Sequence, residues 1–211
     1  MFTKIDKEII DLLKKFLNSD QIIIDREKFE DYSHDELPGL KFYPELVVFP
    51  KNTEEVSRVI KLANKFNFPI IPRGGGSGLT GGAVPVYGGC IISLEKMNHI
   101  LEIDSDNLMV TVEPGVITGV LQEAVEKQGL FYPPDPASMD VCSIGGNLAE
   151  GAGGPRAVKY GTTKDYVVGL EFVTPTGEIC QVGGKLVKDA AGYNLIGLLV
   201  GSEGTLAIIT K

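Results

Sequence analysis

The stretch richest in chemistry is Pro72-Arg73-Gly74-Gly75-Gly76-Ser77-Gly78-Leu79-Thr80-Gly81-Gly82. Glycine takes positive φ without strain, and a backbone free of Cβ atoms lets successive N–H groups converge on an anion. A pyrophosphate is the obvious guest, since backbone dipoles can meet its charge in a chain that is itself acidic, with formal net charge −8. Taken alone, the loop favours phosphate binding only modestly over a structural or mobile turn, because glycine-rich turns are common. The spacing Gly76-x-Gly78-x-x-Gly81 also matches the dinucleotide fingerprint of doubly wound folds, a motif that opens a helix. Here Ala83-Val84-Pro85-Val86-Tyr87-Gly88-Gly89 comes next, and a proline with two glycines cannot extend a helix. The Lys-Ser/Thr ending of a phosphate-binding P-loop is missing as well.

Further segments of small residues lie downstream. Tyr132-Pro133-Pro134-Asp135-Pro136-Ala137-Ser138 is a stiff bend, because each proline fixes its own φ and restrains its predecessor. Ile144-Gly145-Gly146-Asn147-Leu148-Ala149-Glu150-Gly151-Ala152-Gly153-Gly154-Pro155 again brings backbone close to something, with Ser138 and Ser143 offering hydroxyls. Lys159-Tyr160-Gly161-Thr162-Thr163 and Val200-Gly201-Ser202-Glu203-Gly204-Thr205-Leu206 complete the set. Such segments in one domain are economical as the walls of one long, narrow ligand site. The histidines, His34 and His99, stand far apart and give weak grounds for a metal site. His34 sits in the exposed-looking run Tyr32-Ser33-His34-Asp35-Glu36, and His99 reads as a surface or strand-end residue. No metal ligand and no catalytic residue is named. Lys188 and Asp189 read as a surface pair of negligible energetic worth.

The elements that must position these loops are legible in outline. The composition, 43% hydrophobic and 23% charged over 211 residues, suffices to bury a core without staples. Acids and bases are mixed, so neither nucleic acid nor an anionic membrane surface finds a basic stripe. Cys90, Cys142 and Cys180 lack Cys-x-x-Cys spacing, which excludes an iron–sulfur cluster or structural zinc built from them. They read as buried small side chains of a protein in a reducing cytoplasm. Residues 1–20 are too charged for a signal peptide or a spanning helix.

Ile5, Ile9, Leu12, Leu13 and Phe16 predict an opening helix that packs on the surface of the later elements. Leu46–Phe49, a helix capped near Asn52 with its stripe at Val56, Val59, Ile60, Ala63 and Phe66, and Phe68–Ile71 form a βαβ unit with a right-handed crossover expected. Cys90–Leu94 and Leu108–Val112 read as strands, and Thr118–Gln128 as a helix stopped at Gly129. Val167–Thr174 and Ile179–Val182 flank hairpin chemistry at Pro175-Thr176-Gly177-Glu178. A short helix at Leu195–Val200 and a closing strand at Thr205–Thr210 end the chain. The class is α+β: residues 1–40 as helix and lead-in, 41–95 as a small βαβ lobe, and 96–211 as a larger mixed-sheet lobe flanked by helices.

In their order along the chain, Pro72-Arg73-Gly-Gly-Gly-Ser-Gly-Leu79, Pro133-Pro134-Asp135-Pro136-Ala137-Ser138, Ser143-Ile-Gly-Gly-Asn147, Arg156-Ala-Val-Lys-Tyr-Gly161, Lys188-Asp189-x-x-Gly192-Tyr193 and Val200-Gly-Ser-Glu-Gly-Thr-Leu206 resemble the FAD-linked oxidases of the vanillyl-alcohol oxidase type. The branch of closest look holds the glycolate oxidase flavoprotein subunits and the D-lactate dehydrogenases. The resemblance implies a p-cresol-methylhydroxylase-type (PCMH-type) FAD-binding fold in an oxidoreductase that acts on 2-hydroxy acids by hydride transfer to flavin N5. It implies that Pro72, Arg73, Gly74, Gly75, Gly76, Ser77, Gly78 and Leu79 hold the FAD pyrophosphate. Pro134, Ser138, Ile144, Gly145, Gly146, Asn147, Ala152 and Gly153 would line the ribityl and isoalloxazine portions, with Gly161 in the same wall. Glu203, Gly204 and Ile208 would lie near the adenosine end or the closing strand.

Relatives that attach FAD covalently often use a histidine where Ser77 stands, so the resemblance implies dissociable FAD. It also implies a substrate and cap domain absent from these 211 residues, through which the hydroxy acid would be chosen, and a quinone or an iron–sulfur partner subunit as electron acceptor. Gly151 departs from the usual Asn of Glu-Asn-Ala-Gly-Gly and removes an amide able to reach the cofactor. An FAD-binding or electron-transfer module without turnover is the alternative. A cell-wall-precursor reductase or the flavin subunit of a molybdenum hydroxylase fits less well, given Pro133–Ser138 and Lys159-Tyr160-Gly161.

Overall fold

The computed structural model describes residues 2–186 and 188–211. The elements in chain order are α1 (Lys7–Leu13), β1 (Ile22–Ile23), β2 (Leu46–Val48), α2 (Thr53–Phe66), β3 (Ile70–Arg73), β4 (Cys90–Ser93), β5 (Ile100–Asp104), β6 (Met109–Val112), α3 (Thr118–Glu126), α4 (Ile144–Glu150), α5 (Ala157–Tyr160), β7 (Gly169–Val173), β8 (Ile179–Gly183), α6 (Leu195–Leu199) and β9 (Ile208–Ile209). The class is α+β, as the alternation of strand and helix patterns implies.

The first sheet has the order β1-β2-β4-β3. β4 runs parallel to both β2 and β3, so the two strands of the βαβ unit flank it and do not pair with each other. Both faces of β2 and β4 are covered, which is why they read as continuous apolar runs. Leu46, Val48, Cys90 and Ile92 face one core with α1 and α2, whereas Val47 and Ile91 face Phe29 and Phe49 on the other side. α2 starts where the Asn52 side chain accepts from the Glu55 N–H at 2.9 Å. It ends at Asn67, which takes the left-handed conformation at φ 57°. Val56, Val59, Ile60 and Ala63 are its buried stripe. Such burial is the main stabilising contribution, about 1.5–3 kcal/mol for each fully covered large aliphatic side chain.

The opening helix packs on the later elements as its apolar stripe implies, through a face that enters the first core. It is shorter than its apolar pattern, running from an Asp6 cap to Leu13, and Ile9, Leu13 and Leu17 are 1%, 0% and 3% exposed within the first core. The lead-in is anchored by Gln21, whose Nε2 donates to Phe49 O at 3.0 Å and to Glu55 Oε2 at 2.6 Å.

The rest of the chain forms the antiparallel pair β5-β6 and the sheet β8-β7-β9. The β7–β8 hairpin turns through Gly177 at φ 86°, the left-handed position its sequence requires. Its core gathers Leu121, Val125, Ile144, Leu148, Leu170, Phe172, Leu199 and Ile209. α2 docks on the hairpin: Ser57 Oγ donates to Gly177 O at 2.5 Å, and Asn64 Nδ2 to Pro175 O at 2.7 Å. Val173 and Ile208 also reach into the first core. β1, β5, α4 and α5 are additions to the sequence reading. Cys90 and Cys142 are buried and Cys180 half-buried, and burial pushes the Cys90 thiol up.

Candidate functional site

β3 delivers the chain into the glycine loop, and the loop lodges against the entry to α4. A Cβ on Gly74 would strike Ser143 Oγ, and one on Gly75 would strike Val141 O. These glycines are thus demanded by the close packing of the loop on the entry to α4. Gly76 and Gly81 sit at φ 70° and 79°.

Arg73 is 7% exposed, and its guanidinium is committed within the protein. Nη1 donates to His34 O at 2.8 Å and Nη2 to Asp31 O at 2.7 Å, and the group lies 5.7 Å from the Tyr32 ring centroid. Burial pulls its proton affinity down, against neighbouring acids. The lead-in around His34, expected to be exposed, is a brace for the loop. Ser33 and Asp35 are buried. Asp35 Oδ2 accepts from Gly81 N at 2.8 Å, and Glu36 N donates to Gly78 O at 2.9 Å.

The second wall is α4. Its cap is Ser143, whose Oγ accepts from Gly146 N at 3.2 Å. Gly145 lets the helix close on Pro114, with Gly145 N donating to Pro114 O at 2.7 Å. Asn147 is buried and ties α4 to α3, its Nδ2 donating to Thr118 Oγ1 at 2.6 Å. Thr118 Oγ1 in turn lies 3.2 Å from Cys142 Sγ. Gly151 ends the helix in the left-handed conformation at φ 67°. The third wall is the turn before β9. Gly201 N and Glu203 N donate to Leu148 O and Ala149 O, both at 2.9 Å, so this turn closes the free carbonyl end of α4.

Between these walls runs a groove of about 320 Å³. It is lined by all of Pro72, Arg73, Gly74, Gly75, Gly76, Ser77, Gly78 and Leu79, and by Ser138, Gly145, Gly146, Asn147, Ala152, Glu203, Gly204 and Ile208. Pro134, Ile144, Gly153 and Gly161 are not in that lining. Pro134 is buried with its carbonyl accepting from Gln122 Nε2 at 2.8 Å. Ile144 belongs to the second core. Gly153 stands against Ala157 and Thr162, and Gly161 closes α5 at φ 85° beside the Asp165 carboxyl. An adjoining cleft of about 500 Å³, walled by apolar residues of α2, β3 and β7, shares Pro72, Gly204, Ala207 and Ile208 with the groove.

Asp35, Thr80, Cys142 and Glu150 line the groove too and were missed in sequence. Glu150 had a readable signal: a cap at Ser143 with Ile144 and Leu148 four apart, hidden by two glycines. Asp35 had none, because only the fold carries it to the loop. Burial raises the Glu150 carboxyl, and the nearby charges of Glu203 and Asp35 add to the rise, while Thr80 Oγ1, at 3.3 Å, opposes it. His99 lies elsewhere, exposed and 2.7 Å from Glu113 Oε2 through Nδ1. Among the described residues no cluster of three His, Cys, Asp or Glu could hold a metal, no ion pair joins Lys188 to Asp189, and no helix is long and apolar enough to cross a membrane.

Residues 44–183 match the FAD binding domain family. The chain is 50% identical to the glycolate oxidase subunit GlcD of Bacillus subtilis (strain 168) over 192 residues, which cover 88% of it and 41% of that protein. It is 45% identical to a D-lactate dehydrogenase of Anaerostipes hadrus over its full 211 residues, 44% of that protein. The chain thus spans less than half the length of these curated relatives. Among solved structures, p-cresol methylhydroxylase with substrate bound superposes at a TM-score of 0.82 over 100% of this chain and 44% of that one. At 23% identity that likeness speaks to the fold, which is of the PCMH type.

Proposed function

Because the chain belongs to the FAD binding domain family, we propose that its groove and the adjoining cleft together hold one extended FAD molecule, bound without a covalent link. The observation that carries this reading is the floor of the groove. Gly74 to Gly78 present main chain with one side chain, Ser77, among them, and Gly204 packs against Pro72 where groove and cleft meet. That floor suits a diphosphate, which backbone N–H groups can approach only where no Cβ intervenes. The apolar walls of the cleft, among them Ile60, Ala63, Ile70 and Val173, suit a flat aromatic base. In this reading the adenosine end lies toward Gly204 and Ile208, and the flavin end toward Ser138 and Ala152. Pro134, Ile144, Gly153 and Gly161 then support these walls from behind.

For the whole protein we propose a dehydrogenase of 2-hydroxy acids, the class to which glycolate and D-lactate belong. When bound, the flavin would supply the acceptor for a hydride from the substrate α-carbon. The residues of this chain would orient that acceptor and exclude water from it. The base and the groups that grip the substrate carboxylate are assigned to a further domain, and the electron acceptor to a quinone or an iron–sulfur partner. A second reading, an FAD-binding module with no turnover of its own, is favoured by one feature. The charged side chains lining the groove are Arg73, Asp35, Glu150 and Glu203, and Arg73 is already committed to carbonyls.

A visible spectrum tests the cofactor reading. The expected result is a yellow protein, or one that FAD reconstitutes, whose flavin enters the supernatant on acid precipitation. A colourless chain that FAD cannot reconstitute overturns the reading, and flavin retained in the acid pellet overturns its non-covalent part.

A further inference from the structure

The groove that offers its backbone to an anion also carries carboxylates. Glu150 closes α4 with its side chain over the glycine loop, its Oε1 standing 3.7 Å from the Cβ sites of both Gly78 and Gly82. Thr80 Oγ1 donates to that same oxygen at 3.3 Å. Glu203 comes from the turn before β9, with Oε2 3.7 Å from the Gly82 Cβ site, and is held in the left-handed conformation at φ 53°. Asp35 comes from the lead-in, hydrogen-bonded beneath Gly81. The charged groups facing Glu150 are these two acids, and among the described residues no lysine or arginine pairs with it. Arg73, the cation in the lining, is turned toward His34 O and Asp31 O.

Accepting that this groove takes the FAD diphosphate, we infer that Glu150, backed by Glu203 and Asp35, sets how much negative charge the groove tolerates. The diphosphate is held more tightly with Glu150 neutral than with Glu150 ionised. An ionised carboxylate and a phosphate on the same side of a partly enclosed groove repel, whereas a protonated carboxyl can donate a hydrogen bond to a phosphate oxygen. Partial burial and the neighbouring charges of Glu203 and Asp35 raise the Glu150 carboxyl above its ordinary value. Glu150 therefore makes affinity for the cofactor rise toward acid pH.

The test is FAD affinity of the full chain, read from flavin fluorescence as the pH is raised from the ordinary glutamate range to about pH 9. The parent chain should weaken about tenfold from the acid to the alkaline end, the order of one partly screened carboxylate–phosphate repulsion. Glu150→Gln, nearly isosteric and uncharged, should hold the acid-end affinity throughout, and Glu150→Asp should keep the slope. An identical slope in the parent and in Glu150→Gln would overturn the inference while leaving FAD binding standing. A chain that binds no FAD at any pH would overturn both.

Discussion

Several glycines in the groove are fixed by sterics that can be named atom by atom, and their substitutions should separate two causes of failure. Gly75 has Val141 O where a Cβ would go, and Cys142 Cα 3.2 Å from it, so Gly75→Ala forces the loop off α4. The expected outcome is loss of FAD binding with a melting transition that survives, since the loop is peripheral to both cores. Normal FAD affinity in Gly75→Ala would mean that the loop does not carry the ligand. Gly151 is a different case. It occupies the left-handed position that ends α4, and the space around it is open apart from Gly201 Cα at 3.7 Å. Asparagine tolerates that conformation better than alanine does. Gly151→Asn should therefore fold like the parent, whereas Gly151→Ala should cost about 1 kcal/mol in urea melts. Glycine here keeps the helix end intact and gives up only the side-chain amide that an Asn would offer. Glu150 adds a pH dependence. Its folded-state pKa is raised, so stability is lost as pH rises from the ordinary glutamate range through the folded value. Glu150→Gln should melt slightly above the parent at alkaline pH and equal to it at acid pH, and the reverse ordering in calorimetry would contradict the assignment.

Elements explain which parts of the molecule could be read in advance. β2, α2, β3 and β4 were legible because their patterns are strong: buried runs such as Cys90-Ile91-Ile92 and a stripe begun by the Asn52 cap. α4 was hidden because Gly145 and Gly146 suppress the helix signal, and those glycines are present for close packing on Pro114 and the loop. β5 gives a weak strand signal because Ile100-Leu101-Glu102-Ile103-Asp104 is half-exposed and carries charge at alternate positions. The site itself was legible as a set of backbone-rich segments. What stayed illegible was what joins them: the brace from residues 31–36 and the acids of the groove, which come together only through tertiary contact. The same limit applied to α1, whose amphipathic pattern cannot say whether its apolar face meets an edge or a core. Leu13→Ala tests that point directly. Truncating a fully buried leucine in the first core should cost about 2–5 kcal/mol, measured by denaturant unfolding, and a surface helix would lose well under about 1 kcal/mol.

At the scale of the whole molecule, the same three walls that make the groove also join the two halves of the chain. β3 and the glycine loop come from the first sheet, α4 from the second core, and the turn before β9 rests on α4 while Ile208 reaches back into the first core. A ligand lying along that seam ties together elements from both sides, so its binding should stabilise the fold as a unit by mass action. In the proposed reading the diphosphate and adenosine portions of FAD lie in the groove and cleft of this chain. ADP, which carries the portions gripped by the glycine loop and the adjoining cleft, should therefore compete with FAD and raise the melting temperature by itself. Riboflavin, which lacks them, should do neither. On the proposal that the substrate-gripping groups belong to a further domain, glycolate or D-lactate added to the reconstituted chain should leave the flavin bands unbleached. Protection by riboflavin and not by ADP would place the grip at the flavin end, and the glycine loop would then be a turn that holds α4 in place, not a seat for phosphate.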